Sequence, residues 1–167
     1  MDTTAALFSQ AELCQVAGID HETANNWVKR GLLDTAAVGG RKMRGRRLFS
    51  LLDICKAHLM NEAVRSLSIP PSHCAEIVNK AMTQFVKAEK LDHIEDDRDI
   101  HFTVALVTRR RGTWITELRT DGDPRKELQQ ASHAMAMWPI SQAFTSVHRQ
   151  CAKVLRTGRQ EAGRTTS

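Results

Sequence analysis

Five of the seven residues from Arg41 to Arg47 are basic: Arg41, Lys42, Arg44, Arg46 and Arg47. Glycines at 39, 40 and 45 give this stretch the backbone freedom of a loop. A cationic loop can track a polyanion and displace its counterions, so phosphate neutralisation is the chemistry on offer. The alternative is a solvated charged turn, as most charge runs are. Upstream, the segment from Asp20 to Arg30 carries two adjacent asparagines, Asn25 and Asn26. An Asn on a helix can pair bidentately with adenine in the DNA major groove, or simply form part of an exposed polar face.

Other chemistries find less support. The four cysteines, Cys14, Cys55, Cys74 and Cys151, form no CxxC pair, and the seven histidines form no HxH or HxxxH pair. Each cysteine falls on an apolar helical face, which reads as a buried free thiol rather than a metal ligand. The run Glu95, Asp96, Asp97 and Asp99 is local and linker-like, unlike the carboxylates that two-metal sites gather from separate elements. No nucleophile with a partnered base and no phosphate loop stands out, so neither catalysis nor a cofactor is expected. No apolar run reaches the length of a membrane span, and MDTTAALFSQ has no basic stretch ahead of an apolar one, which argues against secretion. The net charge of +5 over 167 residues favours an acidic partner.

The elements that would position the basic loop and the asparagines are written in caps and stops. Ser9 with Glu12 makes a capping box, and a short helix through Leu13, Cys14 and Ala17 ends at Gly18. Asp20 caps a second helix, His21 to Arg30, which stops at Gly31. Two short helices joined by a Gly-Ile-Asp turn describe a helix-turn-helix, whose second helix enters the major groove. Trp27 reads as core.

The stretch FSQAELCQVAGIDHETANNWVKRGLL resembles the start of a MerR-type winged helix-turn-helix, through Gly18-Ile19, Thr23, Trp27 and Gly31-Leu32-Leu33. RRLFSLLDI, with Arg47, Leu48, Phe49, Ser50 and Asp53, is similar to that family's second wing strand and following helix, and LSIPPSHCAEI to its turn into a fourth helix. The resemblance covers roughly residues 7–78. It implies that the basic loop is the wing, and that His21, Glu22 and Thr23 approach phosphates and bases. Asn25 and Asn26 stand where the family often has Arg and Tyr. This chain has no tyrosine, so Asn26 cannot supply a phenolic phosphate contact. Lys29 and Arg30 would lie near the DNA backbone, or serve as cations complementing the helix dipole.

After the wing, Leu51, Ile54, Cys55, His58, Leu59, Ala63 and Leu67 repeat at helical spacing. His58 on this stripe reads as a core or boundary residue. Pro70-Pro71 ends that helix and Ser72 is expected to cap the next, which runs to about Leu91. From Ile100 to Leu118 the period changes to two, giving a β-hairpin that turns over Arg109 to Gly112, a tip that either touches DNA or only solubilises. SHAMAMWP reads as a third strand. Pro139 opens a last helix whose apolar face is Ile140, Ala143, Phe144, Val147, Cys151, Val154 and Leu155.

The expected fold is therefore α+β. A winged helix-turn-helix with an extended fourth helix spans residues 1–91, and an acidic linker spans 92–99. An α+β dimerisation or regulatory module spans 100–156, followed by a disordered basic tail at 157–167. The second module departs from the resemblance, which would place a long dimerising helix and an effector domain there. The expected function is that of a cytoplasmic, nucleoid-associated transcriptional regulator of bacterial or phage type. It would bind double-stranded DNA as a homodimer and could recruit a protein through its C-terminal module. The alternative is a DNA-binding protein like an excisionase or a terminase small subunit, assembling a recombination or packaging complex. An adaptor without DNA affinity fits the intact basic cluster poorly.

If the loop touches phosphates, replacing its five basic residues with Ala will flatten the dependence of log K on log salt by about 0.9 for each phosphate no longer neutralised. An unchanged slope in a fluorescence-anisotropy titration would defeat the wing assignment.

Overall fold

A computed structural model describes residues 7–34, 47–67, 69–89, 103–110, 113–120, 134–138 and 140–164. Among the described residues the chain folds as α+β, with five helices and two small antiparallel sheets.

Strand β1 (Phe8–Ser9) runs directly into helix α1 (Gln10–Ala17). The expected capping box is present: Glu12 N donates to Ser9 Oγ at 3.4 Å, and Ser9 N donates to Glu12 Oε2 at 2.6 Å. Gly18 ends α1 with φ +69°, a left-handed conformation that a Cβ disfavours. Asn61 adds a second stop, donating from Nδ2 to the carbonyls of Ala17 and Gly18 at 3.2 and 3.1 Å.

Helix α2 (His21–Lys29) is capped by Asp20, whose Oδ1 accepts from Thr23 N at 2.6 Å. It closes on a Schellman pattern: Leu32 N donates to Trp27 O, and Gly31 N to Val28 O, with Gly31 at φ +67°. Arg30, expected inside the helix, is its C-cap. Ala24 and Trp27 turn inward, and Trp27 is 4% exposed, a core residue as its type and spacing implied.

Strand β2 (Leu48–Phe49) pairs antiparallel with β1 in the register Phe8↔Phe49 and Ser9↔Leu48. Helix α3 (Leu51–Leu67) then starts on a second capping box, in which Ser50 N and Oγ donate to Asp53 Oδ2 at 2.8 and 2.7 Å. Helix α4 (Pro71–Glu89) begins one residue before the expected cap. The amides of His73 and Cys74 donate to Pro70 O, so Ser72 lies within the first turn. The pyrrolidine ring of Pro71 pre-sets the helical φ, and proline at the first position sacrifices no intrahelical bond.

Strands β3 (Thr103–Arg110), β4 (Thr113–Thr120) and β5 (Ala134–Trp138) form an antiparallel sheet in the order β4-β3-β5. The hairpin and third strand match the change of period. The turn is shorter than expected, because Arg109 and Arg110 stay in the ladder opposite Trp114 and Thr113. The acidic stretch 92–99 lies outside the described residues.

Helix α5 (Ile140–Arg164) is longer than its apolar stripe suggested. Residues 157–164, expected as part of a disordered tail, continue the helix. Polarity is a poor guide there, since Arg, Gln, Glu and Ala all propagate helices well. The stripe itself packs as expected: Ile140, Phe144, Val147 and Cys151 are buried, with Ala143, Val154 and Leu155 partly so.

This stripe does not form a separate core. Helix α5 packs against α1, α3 and α4, and its buried residues join one hydrophobic cluster that begins at Phe8. Phe144 meets Phe85 of α4 with ring centroids 5.6 Å apart and planes tilted by 58°. Helix α4 also packs on β4, and α5 on β3, so the sheet leans on the same two helices.

Phe144→Ala should therefore cost about 3–5 kcal/mol, as large-to-small core changes do. Hydrogen exchange will show the loss at the Leu13 and Trp27 amides as well as in α5. Unchanged protection in α1 and α2 would mean that the last helix stabilises only itself.

Candidate nucleic-acid interface

The candidate surface is built on α2. Burial of Ala24 and Trp27 rotates His21, Glu22, Asn26, Lys29 and Arg30 into solvent, while Thr23 and Asn25 are half-buried at the boundary. Gln10 ties the starts of α1 and α2 together, donating from Nε2 to His21 O at 3.3 Å. The start of α2 is thus tied to α1 twice, by Gln10 at the first residue of α1 and by the Gly18 turn at its end.

Two of the residues nominated as contacts are engaged within the protein. The Thr23 hydroxyl bonds Asp20 Oδ2 at 3.1 Å, alongside the bond from its amide. Thr23 is part of the cap, and its hydroxyl proton is not offered outward while that bond stands. Asn25 Oδ1 accepts from Arg47 Nη1 at 2.8 Å, across 22 residues of sequence. Arg47 is exposed and immediately precedes β2, so the last basic residue of the cationic run is brought onto α2. Arg41, Lys42, Arg44 and Arg46 lie outside the described residues.

No protein-family model matches the chain, and no curated protein is a significant match to it.

Charge along α2 is polarised. Asp20 and Glu22 stand at its N-terminus and Lys29 and Arg30 at its C-terminus, an order that complements the helix dipole. The bonds from the Thr23 amide and hydroxyl hold the Asp20 carboxyl below the usual carboxylate range. The first amides of α2 already face an anion. A polyanion approaching this surface would meet its cations at Lys29, Arg30 and Arg47 rather than at the helix N-terminus.

All four cysteines are buried and unpaired by disulfide. Burial pushes Cys74 up to about 11 and Cys151 up to about 12, and it raises Cys14 and Cys55 as well. Among the described residues no three His, Cys, Asp or Glu side chains gather as a metal site. Among them also, no helix is long and apolar enough to cross a membrane. His58 is half-buried on α3 and lies 3.5 Å from Glu62, which fits the boundary reading. An open groove of about 570 Å³ runs along the α1–α5 contact, lined by Glu12, Gln15, Val16, Gln150, Lys153, Val154 and Thr157.

Sequence reasoning did not find Gln10 or Asn61, which fix the helix pair. Nothing in local spacing marks them, since the partners of Asn61 lie 43 and 44 residues away.

The lowered Asp20 carboxyl makes a signed prediction. Its stabilisation is fully present above the unfolded value of about 4 and is lost as pH falls through the lower folded value. Asp20→Asn keeps a capping side chain without the titration. The melting-temperature difference between the two proteins should be flat near neutrality and shrink steadily below about pH 4. A difference independent of pH would show that the Asp20 charge adds nothing to the cap.

Proposed function

We propose that this protein is a sequence-specific double-stranded DNA-binding transcriptional regulator with a MerR-like winged helix-turn-helix. In this reading α2 enters the major groove, and the basic segment 41–47 is a wing lying on the phosphate backbone. The observation that carries the proposal is the bond from Arg47 to Asn25. It joins the end of a strongly cationic segment to the exposed side of a helix whose neighbour, turn and caps suit major-groove docking.

The division of labour follows from the chemistry of each group. His21, Glu22 and Asn26 are exposed on α2 and can meet base edges, with Glu22 suited to accept from a cytosine amino group. Lys29, Arg30 and Arg47 are cations that would sit against phosphates, setting register and supplying most of the salt-dependent affinity. One domain of this size makes few base contacts, so the protein acts as at least a dimer on a site of matching symmetry. Such a regulator works in the cytoplasm, on the nucleoid.

The test is selection of bound fragments from the source genome with the purified full chain, at about 0.15 M salt, where non-specific binding is weak. A few promoter-proximal sites with twofold symmetry are the expected recovery. Phased repeats at an attachment or packaging site would point to a complex-assembling protein like an excisionase or terminase small subunit. Random fragments, or none, would overturn the proposal.

A further inference from the structure

Asn25 and Asn26 are the residues of α2 with the most obvious base-reading chemistry, and the acceptor oxygen of Asn25 is already engaged by Arg47. Pairing with adenine requires Oδ1 to accept from the base amino group while Nδ2 donates to the ring nitrogen. Arg47 Nη1 already donates to that oxygen at 2.8 Å, which uses one of its two lone pairs and orients the carboxamide toward Arg47. The bond also has a short lever. Leu48, the next residue, pairs with Ser9 in the β1–β2 ladder, so the backbone from which Arg47 projects is fixed. A long side chain that would otherwise sample many rotamers is held at both its root and its head.

We infer that Asn25 is a positioning residue, not a base reader: it holds the Arg47 guanidinium against α2 so that its remaining N–H donors face a DNA phosphate. This rests on the DNA-binding reading above. Arginine suits the role because its fork presents five donors, and one bond to Asn25 leaves a pair free for bidentate contact with phosphate oxygens. Asn25 thus acts through Arg47 and strengthens binding to every sequence alike. Base discrimination falls to the other exposed groups of α2.

The experiment is a double-mutant cycle on the full chain with Asn25→Ala, Arg47→Ala and the pair. It is read as affinity for a random-core duplex library and as base preference after selection from that library. Circular dichroism confirms that each variant is folded, which is expected because Arg47 is exposed and Asn25 only half-buried. Asn25→Ala should weaken binding by about two- to tenfold, the ordering cost of one long side chain. It should do so only when Arg47 is present, and base preference should not change. Arg47→Ala should lower the salt slope by about 0.9. An equal loss from Asn25→Ala in the Arg47→Ala background, or a preference relaxed at one base pair, would overturn the inference while leaving DNA binding intact. A wild-type chain that retains no duplex would bring down the DNA-binding reading and this inference with it.

Discussion

The antiparallel pairing of Phe8 with Phe49 is the constraint on which the rest of the surface depends. Each strand has only two residues, and a ribbon that short is not stable by itself. Its stability comes from the two rings, both fully buried in the common core. Each phenylalanine is followed by a serine that caps a helix, Ser9 for α1 and Ser50 for α3. One cross-strand pair therefore aligns two helix starts and returns the chain to α2 with Arg47 at its side. The Schellman stop of α2 and the β1–β2 ladder fix the two ends of the segment between Asp34 and Arg47.

Legibility in the sequence tracks the range of each interaction. Ser9 with Glu12, Gly18, Asp20 and Gly31 were all readable, because each acts within about one helical turn and through a residue type chosen for that act. Ser50 and Asp53 are landmarks of a resemblance in the sequence, and their physical work is a second capping box. Asn61 on Gly18, Gln10 on His21 and Arg47 on Asn25 could not be read, since each bond joins residues 11 to 43 positions apart that no local spacing pairs, even where the residues themselves stood out. Ser72 failed for a different reason: two good signals for a helix start stood side by side, and proline at the first position prevailed.

The last helix shows what periodicity can and cannot convey. The spacing of Ile140, Phe144, Val147 and Cys151 announces a buried face, and all four are buried. It does not say what buries it, and the answer is the helices of the other half of the chain, through Phe85 among others. The cysteines follow the same rule. Cys14, Cys55, Cys74 and Cys151 sit on apolar faces of four different helices and converge on one core. That is why burial, and not partnership, dominates their ionisation.

The caps also narrow what the exposed side of α2 can offer a ligand. A helix N-terminus ordinarily offers its unpaired amides to a phosphate. Here Asp20 takes that place, and Thr23 is drawn into the cap with both its amide and its hydroxyl. Asn25 is drawn sideways to Arg47. Asp20 and Thr23 are thus engaged in stabilising the helix start, and Asn25 in holding Arg47. The exposed His21, Glu22 and Asn26 stand between the acidic start of the helix and the cations at Lys29 and Arg30. An approaching phosphate backbone would be repelled at one end of α2 and attracted at the other. The cap that stabilises the helix start therefore also sets which end of α2 would attract a polyanion.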